Sequence, residues 1–280
     1  MSRLPGDAHI GAITLRVTDI ARSLGFYRGI LGLTASDVSL NSAKLAPAAH
    51  LPVLIHLTRV SHARQGRTTG LYHFALRVPG RPELASMLLR LVKADYPLDG
   101  ASDHDVSEAL YLSDPDGNGI EIYHDRPRDE WKWRNGEVHM TLAAVDLQGL
   151  LKIAAADAAT AAPHGLDMGH VHLQVSDLSE STRFYRDIVG LDVTSNALRG
   201  AAFLSAGGYH HHLGINTWSA TSRRADIDGP GLTDWELVVP DTSARAALIG
   251  RLRDASAQEI AVTDGFRFLD PDGTGLYIRQ

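Results

Sequence analysis

The sequence predicts an α+β fold assembled from four βαβββ units, and three observations carry that prediction. The stretch GAITLRVTDIARSLGFYRGILGL, opening at Gly11, lies over GHVHLQVSDLSESTRFYRDIVGL, opening at Gly169, at an offset of 158 residues. Gly70, Leu71, Val78 and Pro79 lie over Gly231, Leu232, Val239 and Pro240 at an offset of 161. The turn DPDGNG from Asp114 lies over DPDGTG from Asp270 at an offset of 156. Changes in loop length account for the spread of offsets. The chain is therefore two halves, each holding two units of roughly 50 residues.

Each unit follows one pattern. A short strand with alternating apolar residues opens it, as in YHFALRV and VHLQV. An Asp or a Pro then introduces an amphipathic helix. In the first unit Ile20, Leu24, Tyr27 and Leu31 recur at helical spacing, and Gly32 is placed to stop the helix. Further strands close the unit; FLSAGG is one, and IEIY, entered through DPDGNG, is another. Residues 126–167 interrupt the repeat: RPRDEWKWRNG reads as turns, and VDLQGLLKIAAADAATAA reads as a helix running into a soft linker. The expected division is 1–125 for the first domain, 126–167 for the linker and 168–280 for the second domain.

Composition narrows the function. The chain has 280 residues, 44% hydrophobic and 21% charged, enough to fill a substantial core. Its formal net charge of −6 lacks the basic surplus that neutralises phosphates, so nucleic acid is not expected as a partner. No apolar run reaches the roughly 18 residues of a membrane span, and MSRLPGDAHIGAI lacks a signal-peptide core. A cytoplasmic protein without membrane association is expected. Cysteine is absent, which removes disulfides, thiolate ligands and cysteine nucleophiles. Histidine, at 14 residues, is the abundant metal-ligating and proton-transferring side chain.

Strand alternation sorts the histidines. In VHLQV the apolar Val171, Leu173 and Val175 share the helix-packed face, so His170, His172 and Gln174 take the other. Phe74, Leu76 and Val78 likewise turn His73 away from the helix, and Ile120 and Ile122 turn Glu121 away. If the sheet curls, His73, Glu121 and His170 project into its hollow. The repeat positions of His73 and His170 hold Asp234 and Ala12 in the remaining units, and that of Glu121 holds Tyr277 in the fourth. A lone histidine of this kind is more often a core residue with a satisfied hydrogen bond, but the three together favour a metal site. His9, His50, His56, His62, His124, His139 and His164 read as solvent or structural histidines.

The motifs FYRDIVGL, SEALYLSDPDGNGIEIY, GLYHFALRV, GHVHLQVSDL and SAGGYHHHLGINTW resemble the vicinal oxygen chelate superfamily, which contains glyoxalase I, antibiotic-resistance proteins and extradiol dioxygenases. Within it they resemble the catechol 2,3-dioxygenase-like branch over nearly the whole chain apart from the linker. The resemblance implies two glyoxalase-like domains of curved, incompletely closed sheet. It implies a non-haem Fe(II) site, with Mn(II) as the alternative ion, held by His73, Glu121 and His170. It implies a small aromatic diol and O2 as substrates, in aromatic catabolism, and leaves a homo-oligomer open. His104 and Tyr111, upstream of Glu121, match the family's substrate-contacting pair. The acid–base histidine falls in GGYHHHLG: motif text favours His211, whereas strand alternation favours His212, with a kink after Gly207 and Gly208 needed for His211. The alternatives are a glyoxalase-type isomerase or lyase, a thiol transferase on another divalent metal, or a non-catalytic drug-binding protein of the same fold. The ligand set also makes a demand on architecture. The second unit must pair with the third, leaving the first with the fourth, because pairing within each half would separate His73 and Glu121 from His170.

Overall fold

The structure is a computed structural model and describes residues 3–63, 66–154, 161–219, 223–226 and 228–280. The first unit contains β1 (His9–Val17), α1 (Ile20–Gly29), β2 (Thr34–Ser36), β3 (Ser42–Ala46) and β4 (Ile55–Arg59). The second contains β5 (Gly70–Arg77), α2 (Arg81–Lys93), β6 (Gly100–Asp103), β7 (Ser107–Ser113) and β8 (Gly119–Asp125). The connecting segment folds as a 3-10 turn at Arg128–Glu130, β9 (Trp133–Arg134), β10 (Glu137–Val138) and α3 (Leu147–Ile153). The third unit contains β11 (Asp167–Gln174), α4 (Leu178–Arg183), β12 (Asp192–Ser195), β13 (Ala201–Ser205) and β14 (Leu213–Asn216). The fourth contains β15 (Gly231–Val238), α5 (Thr242–Asp254), β16 (Glu259–Ile260), β17 (Phe266–Leu269) and β18 (Gly275–Arg279).

Capping chemistry sets the helix starts. Asp19, Asp177 and Asp241 occupy the same place in three units, and each carboxylate accepts a backbone N–H three residues on. The second unit uses Gly80 followed by a proline in the first turn instead. The α1 helix stops at Gly29, two residues short of Leu31, and the chain then passes through Gly32 at φ 79°. Its counterpart α4 widens into a π-helical turn over Phe184–Val189 and ends at Gly190, which is left-handed at φ 97°.

Two eight-stranded curved sheets result, ordered β16-β17-β18-β15-β1-β4-β3-β2 and β12-β13-β14-β11-β5-β8-β7-β6. Each is joined at its middle by the first strands of two units running antiparallel, β1 on β15 and β5 on β11. The sheets thus take one unit from each half: first with fourth, second with third. The apolar core is continuous from one sheet to the other, and includes Leu15, Phe26, Leu76, Leu88, Leu173, Trp235 and Leu248. Ala75, Ala109 and Tyr123 form a separate cluster on the opposite, hollow face of the second sheet, with Tyr111 packed on it.

The repeated DPDG turns are more than chain reversals. The Tyr27 hydroxyl donates to Asp114 Oδ2 at 2.9 Å, and the Tyr185 hydroxyl to Asp270 Oδ2 at 2.7 Å. The helix of one unit is thereby tied to the last turn of the next unit in sequence, although those two units lie in different sheets. The connecting segment also holds more order than its composition suggests. Asn135 and Gly136 take φ of 53° and 82° and close the β9–β10 hairpin. The expected helix is present over Leu147–Ile153, and the rest of that expectation, at 155–160, lies outside the described residues. Among the described residues no helix is long and apolar enough to cross a membrane.

Candidate metal centre

Three adjacent strands of the second sheet set the geometry. Glu121 on β8 lies beside Ala75 on β5, and Ala75 lies beside His170 on β11. The small Ala75 leaves the space between its neighbours open. His73, two residues earlier on β5, projects from the same face. The β11 strand carries a bulge in which Gly169 is skipped between the partners of Met168 and His170. A Cβ on Gly169 would stand 1.8 Å from the Tyr123 hydroxyl, so glycine alone lets β11 approach this face.

The donor atoms converge. Glu121 Oε2 lies 3.0 Å from His73 Nε2 and 3.1 Å from His170 Nε2, and the two Nε2 atoms are 3.3 Å apart. All three residues are buried. Among the described residues they form the one group of this kind placed to hold a metal ion. Cis ligands of an octahedral ion with bonds of roughly 2.1 Å stand about 3.0 Å apart, so a divalent cation fits the three donors on one of its faces. Burial opposes ionisation of Glu121, but the His170 and His73 imidazoles outweigh it and hold the carboxyl well below its usual range. Burial also pulls His170 down to about 4, which leaves its imidazole neutral at physiological pH, the ligating form. Two neutral imidazoles and one carboxylate would leave a divalent ion with a residual positive charge.

His73 and Glu121 line a cavity of about 550 Å³, with His170 buried beside them. His104 and Tyr111 stand in the cavity wall. The Thr141 carbonyl, 2.7 Å from His104 Nδ1, can only accept, so that nitrogen carries the proton. His104 Nε2 then accepts from the Tyr111 hydroxyl at 2.6 Å. Tyr111 is directly across from Glu121 in the β7–β8 ladder, and burial followed by the Glu121 charge pushes its hydroxyl well above the ordinary tyrosine range. His211 also lines the cavity, with its ring 4.1 Å from that of His170 and 4.9 Å from that of Phe203. Burial keeps it well below the ordinary histidine range. His212 turns away: it stacks on Tyr209, and its Nδ1 accepts the Ala206 N–H at 3.2 Å. The alternation argument for His212 does not apply, because β14 begins only at Leu213 and the chain enters through Gly207 and Gly208, both left-handed at φ 63° and 65°.

Sequence reasoning overlooked several neighbours. Met140, Thr141 and Leu142, from the segment read as a linker, line the cavity, as do Tyr72, Phe203 and Trp218. His210 is buried behind His211, bonded to it and to Asp125. Asp125 lies four residues past Glu121 on the same strand face, which alternation alone could have flagged. The equivalent hollow of the first sheet is filled by ion pairs: Asp234 with Arg267, and Glu236 with Arg279 at 3.0 Å. The positions of His73 and Glu121 there hold Asp234 and Tyr277, so the two sheets share a scaffold and differ in chemistry.

Comparison with known proteins agrees with this architecture. The profile of the Glyoxalase/Bleomycin resistance protein/Dioxygenase superfamily matches residues 9–122 and 167–276. A curated relative, the catechol-2,3-dioxygenase of Bacillus subtilis strain 168, is 39% identical over 283 residues, covering 99% of both chains. A Bacillus subtilis strain 168 structure solved as a candidate dioxygenase superposes with a TM-score of 0.66 at 15% identity, over 99% of this chain and 86% of that one. Glyoxalase I of Zea mays superposes with a TM-score of 0.56 at 15% identity, over 97% and 92%. With four repeated units, two curved sheets and a profile match across both halves, the chain belongs to the glyoxalase/bleomycin resistance/dioxygenase superfamily.

Proposed function

We propose that the protein is an extradiol ring-cleaving dioxygenase that acts on a catechol-type substrate with Fe(II) and O2. The observation that carries this reading is the convergence of two buried imidazoles and one carboxylate beside a cavity that is also lined by Tyr111, His104 and His211. Two histidines and a carboxylate on one face, with open positions opposite, are the ligand set of non-haem Fe(II) oxygenases. The full-length relationship to a protein named catechol-2,3-dioxygenase supports the same reaction.

His73, Glu121 and His170 would hold the ion. Fe(II) at this triad supplies the one-electron chemistry that lets dioxygen react with a catecholate. The chain's own residues do the rest. His211 accepts a proton from a substrate hydroxyl, since its Nδ1 is engaged with His210 and its Nε2 edge is free for the cavity. Tyr111, whose proton goes to His104, keeps oxygen lone pairs for a substrate hydroxyl and steadies the bound ring. Phe203, Leu71, Tyr72 and Trp218 give the aromatic ring an apolar surface and exclude water from it. Oxygen uptake by the Fe(II)-reconstituted protein, across a set of catechols, tests the proposal. Uptake with a yellow ring-opened semialdehyde is expected; no uptake with any of them would sink it.

A further inference from the structure

Behind His211 runs a hydrogen-bonded chain of which the reading above uses only the contact with His210. Asp125 Oδ1 lies 2.8 Å from His210 Nε2, and His210 Nδ1 lies 2.8 Å from His211 Nδ1. Asp125 also receives the Tyr209 hydroxyl on Oδ2 at 2.9 Å and Arg77 Nη1 on Oδ2 at 3.2 Å. The Tyr123 hydroxyl in turn donates to that of Tyr209 at 2.6 Å. His210 is 1% exposed and sits against Tyr209 and Trp131, which hold its ring plane.

We infer that Asp125 and His210 are positioning residues that fix the tautomer of His211, with the proton on Nδ1 and the Nε2 lone pair facing the cavity. The argument is one of donors and acceptors. A carboxylate only accepts, so His210 Nε2 carries a proton and donates it. In a neutral ring that is the single proton. His210 Nδ1 is then an acceptor, which requires His211 Nδ1 to donate. The remaining nitrogen of His211, on the far edge of the ring, is left bare on the side of His170 and the cavity. A proton on that nitrogen would block acceptance from a substrate hydroxyl, so the chain selects the productive form. The inference rests on the proposed role of His211 as base, but the tautomer itself is a property of the protein without substrate.

Asp125→Asn reverses the chain with minimal change of shape. Arg77 and Tyr209 both donate at the Oδ2 position, so the asparagine oxygen belongs there and its amide faces His210. His210 Nε2 must then accept, its proton moves to Nδ1, and His211 Nδ1 becomes the acceptor. The His211 proton goes to Nε2. Long-range ¹H–¹⁵N correlation spectra of the full, metal-free chain with labelled histidine read this directly. Wild type is expected to show His211 protonated on Nδ1 and His210 on Nε2, and Asp125→Asn the opposite pattern at both. In Fe(II)-loaded protein the same variant should keep its iron content and its KM for catechol while kcat falls about 10²–10⁴-fold. A wild-type His211 protonated on Nε2 overturns the inference, and so does a tautomer change that leaves kcat intact. Full activity in His211→Ala would instead remove the base assignment while leaving the tautomer result standing.

Discussion

His211 and His212 are adjacent in sequence, yet one ring lies against His170 and the other is anchored on Tyr209 and the Ala206 N–H. His211→Ala should therefore retain stoichiometric iron and bind catechol, while kcat falls about 10²–10⁴-fold, as for loss of a general base. His212→Ala should keep most of its turnover and lose some stability, since it leaves a buried N–H without its acceptor. Stopped-flow turnover beside metal analysis of the two variants separates these outcomes; a reversed pattern would contradict the geometry. That His73, Glu121 and His170 share one face was legible in the sequence because strand alternation is a local rule, and it holds even though β11 bulges at Gly169 just before His170. The choice between His211 and His212 was not, because two left-handed glycines cancel alternation just where it was applied. Alternation puts Asp125 on the face of Glu121, but its link to His210 depends on contacts between β8 and the loop before β14, which no spacing reports.

At the level of elements, the repeated Asp caps and DPDG turns were readable because each does its work within a few residues. What the turns hold was not: Asp114 and Asp270 reach tyrosines 87 and 85 residues away. Burial pushes the Asp270 carboxyl up to about 6. An aspartate in the unfolded chain titrates near 3.9, so the folded state holds this proton longer. That contribution to stability is fully present below about pH 4 and is lost as pH rises through about 6. Wild type should lose about 2–3 kcal/mol relative to Asp270→Asn across that window. Chemical denaturation of both proteins at several pH values checks this, and parallel pH profiles would contradict it. Gly169→Ala is a second test of local fit. Its Cβ would meet the Tyr123 hydroxyl at 1.8 Å, so β11 or Tyr123 must shift. A loss of about 1–3 kcal/mol is expected from such overpacking, together with weaker metal binding because His170 is the next residue. Unaltered stability and metal affinity would show that the bulge is not tightly fitted.

The whole molecule is two halves by sequence and two sheets by structure, and the two divisions cross. The offsets of the repeat identified the units but could not pair them, since any pairing of first strands buries a similar apolar face. Pairing is instead visible in long-range contacts, where β5 lies against β11 and β1 against β15. It follows that the triad joins residues 73 and 121 to residue 170, across the connecting segment. An ion held there would bind the folded chain only, so Fe(II) at about 100 times its dissociation constant should add about 2.7 kcal/mol of stability. That corresponds to a rise of roughly 5 °C in Tm, read by calorimetry under anaerobic conditions and absent in Glu121→Ala. The most direct test of the account is the iron content of anaerobically loaded and desalted protein. One Fe(II) retained per chain in wild type and almost none in folded Glu121→Ala is the predicted result; equal iron in both proteins would place the metal elsewhere and contradict the site.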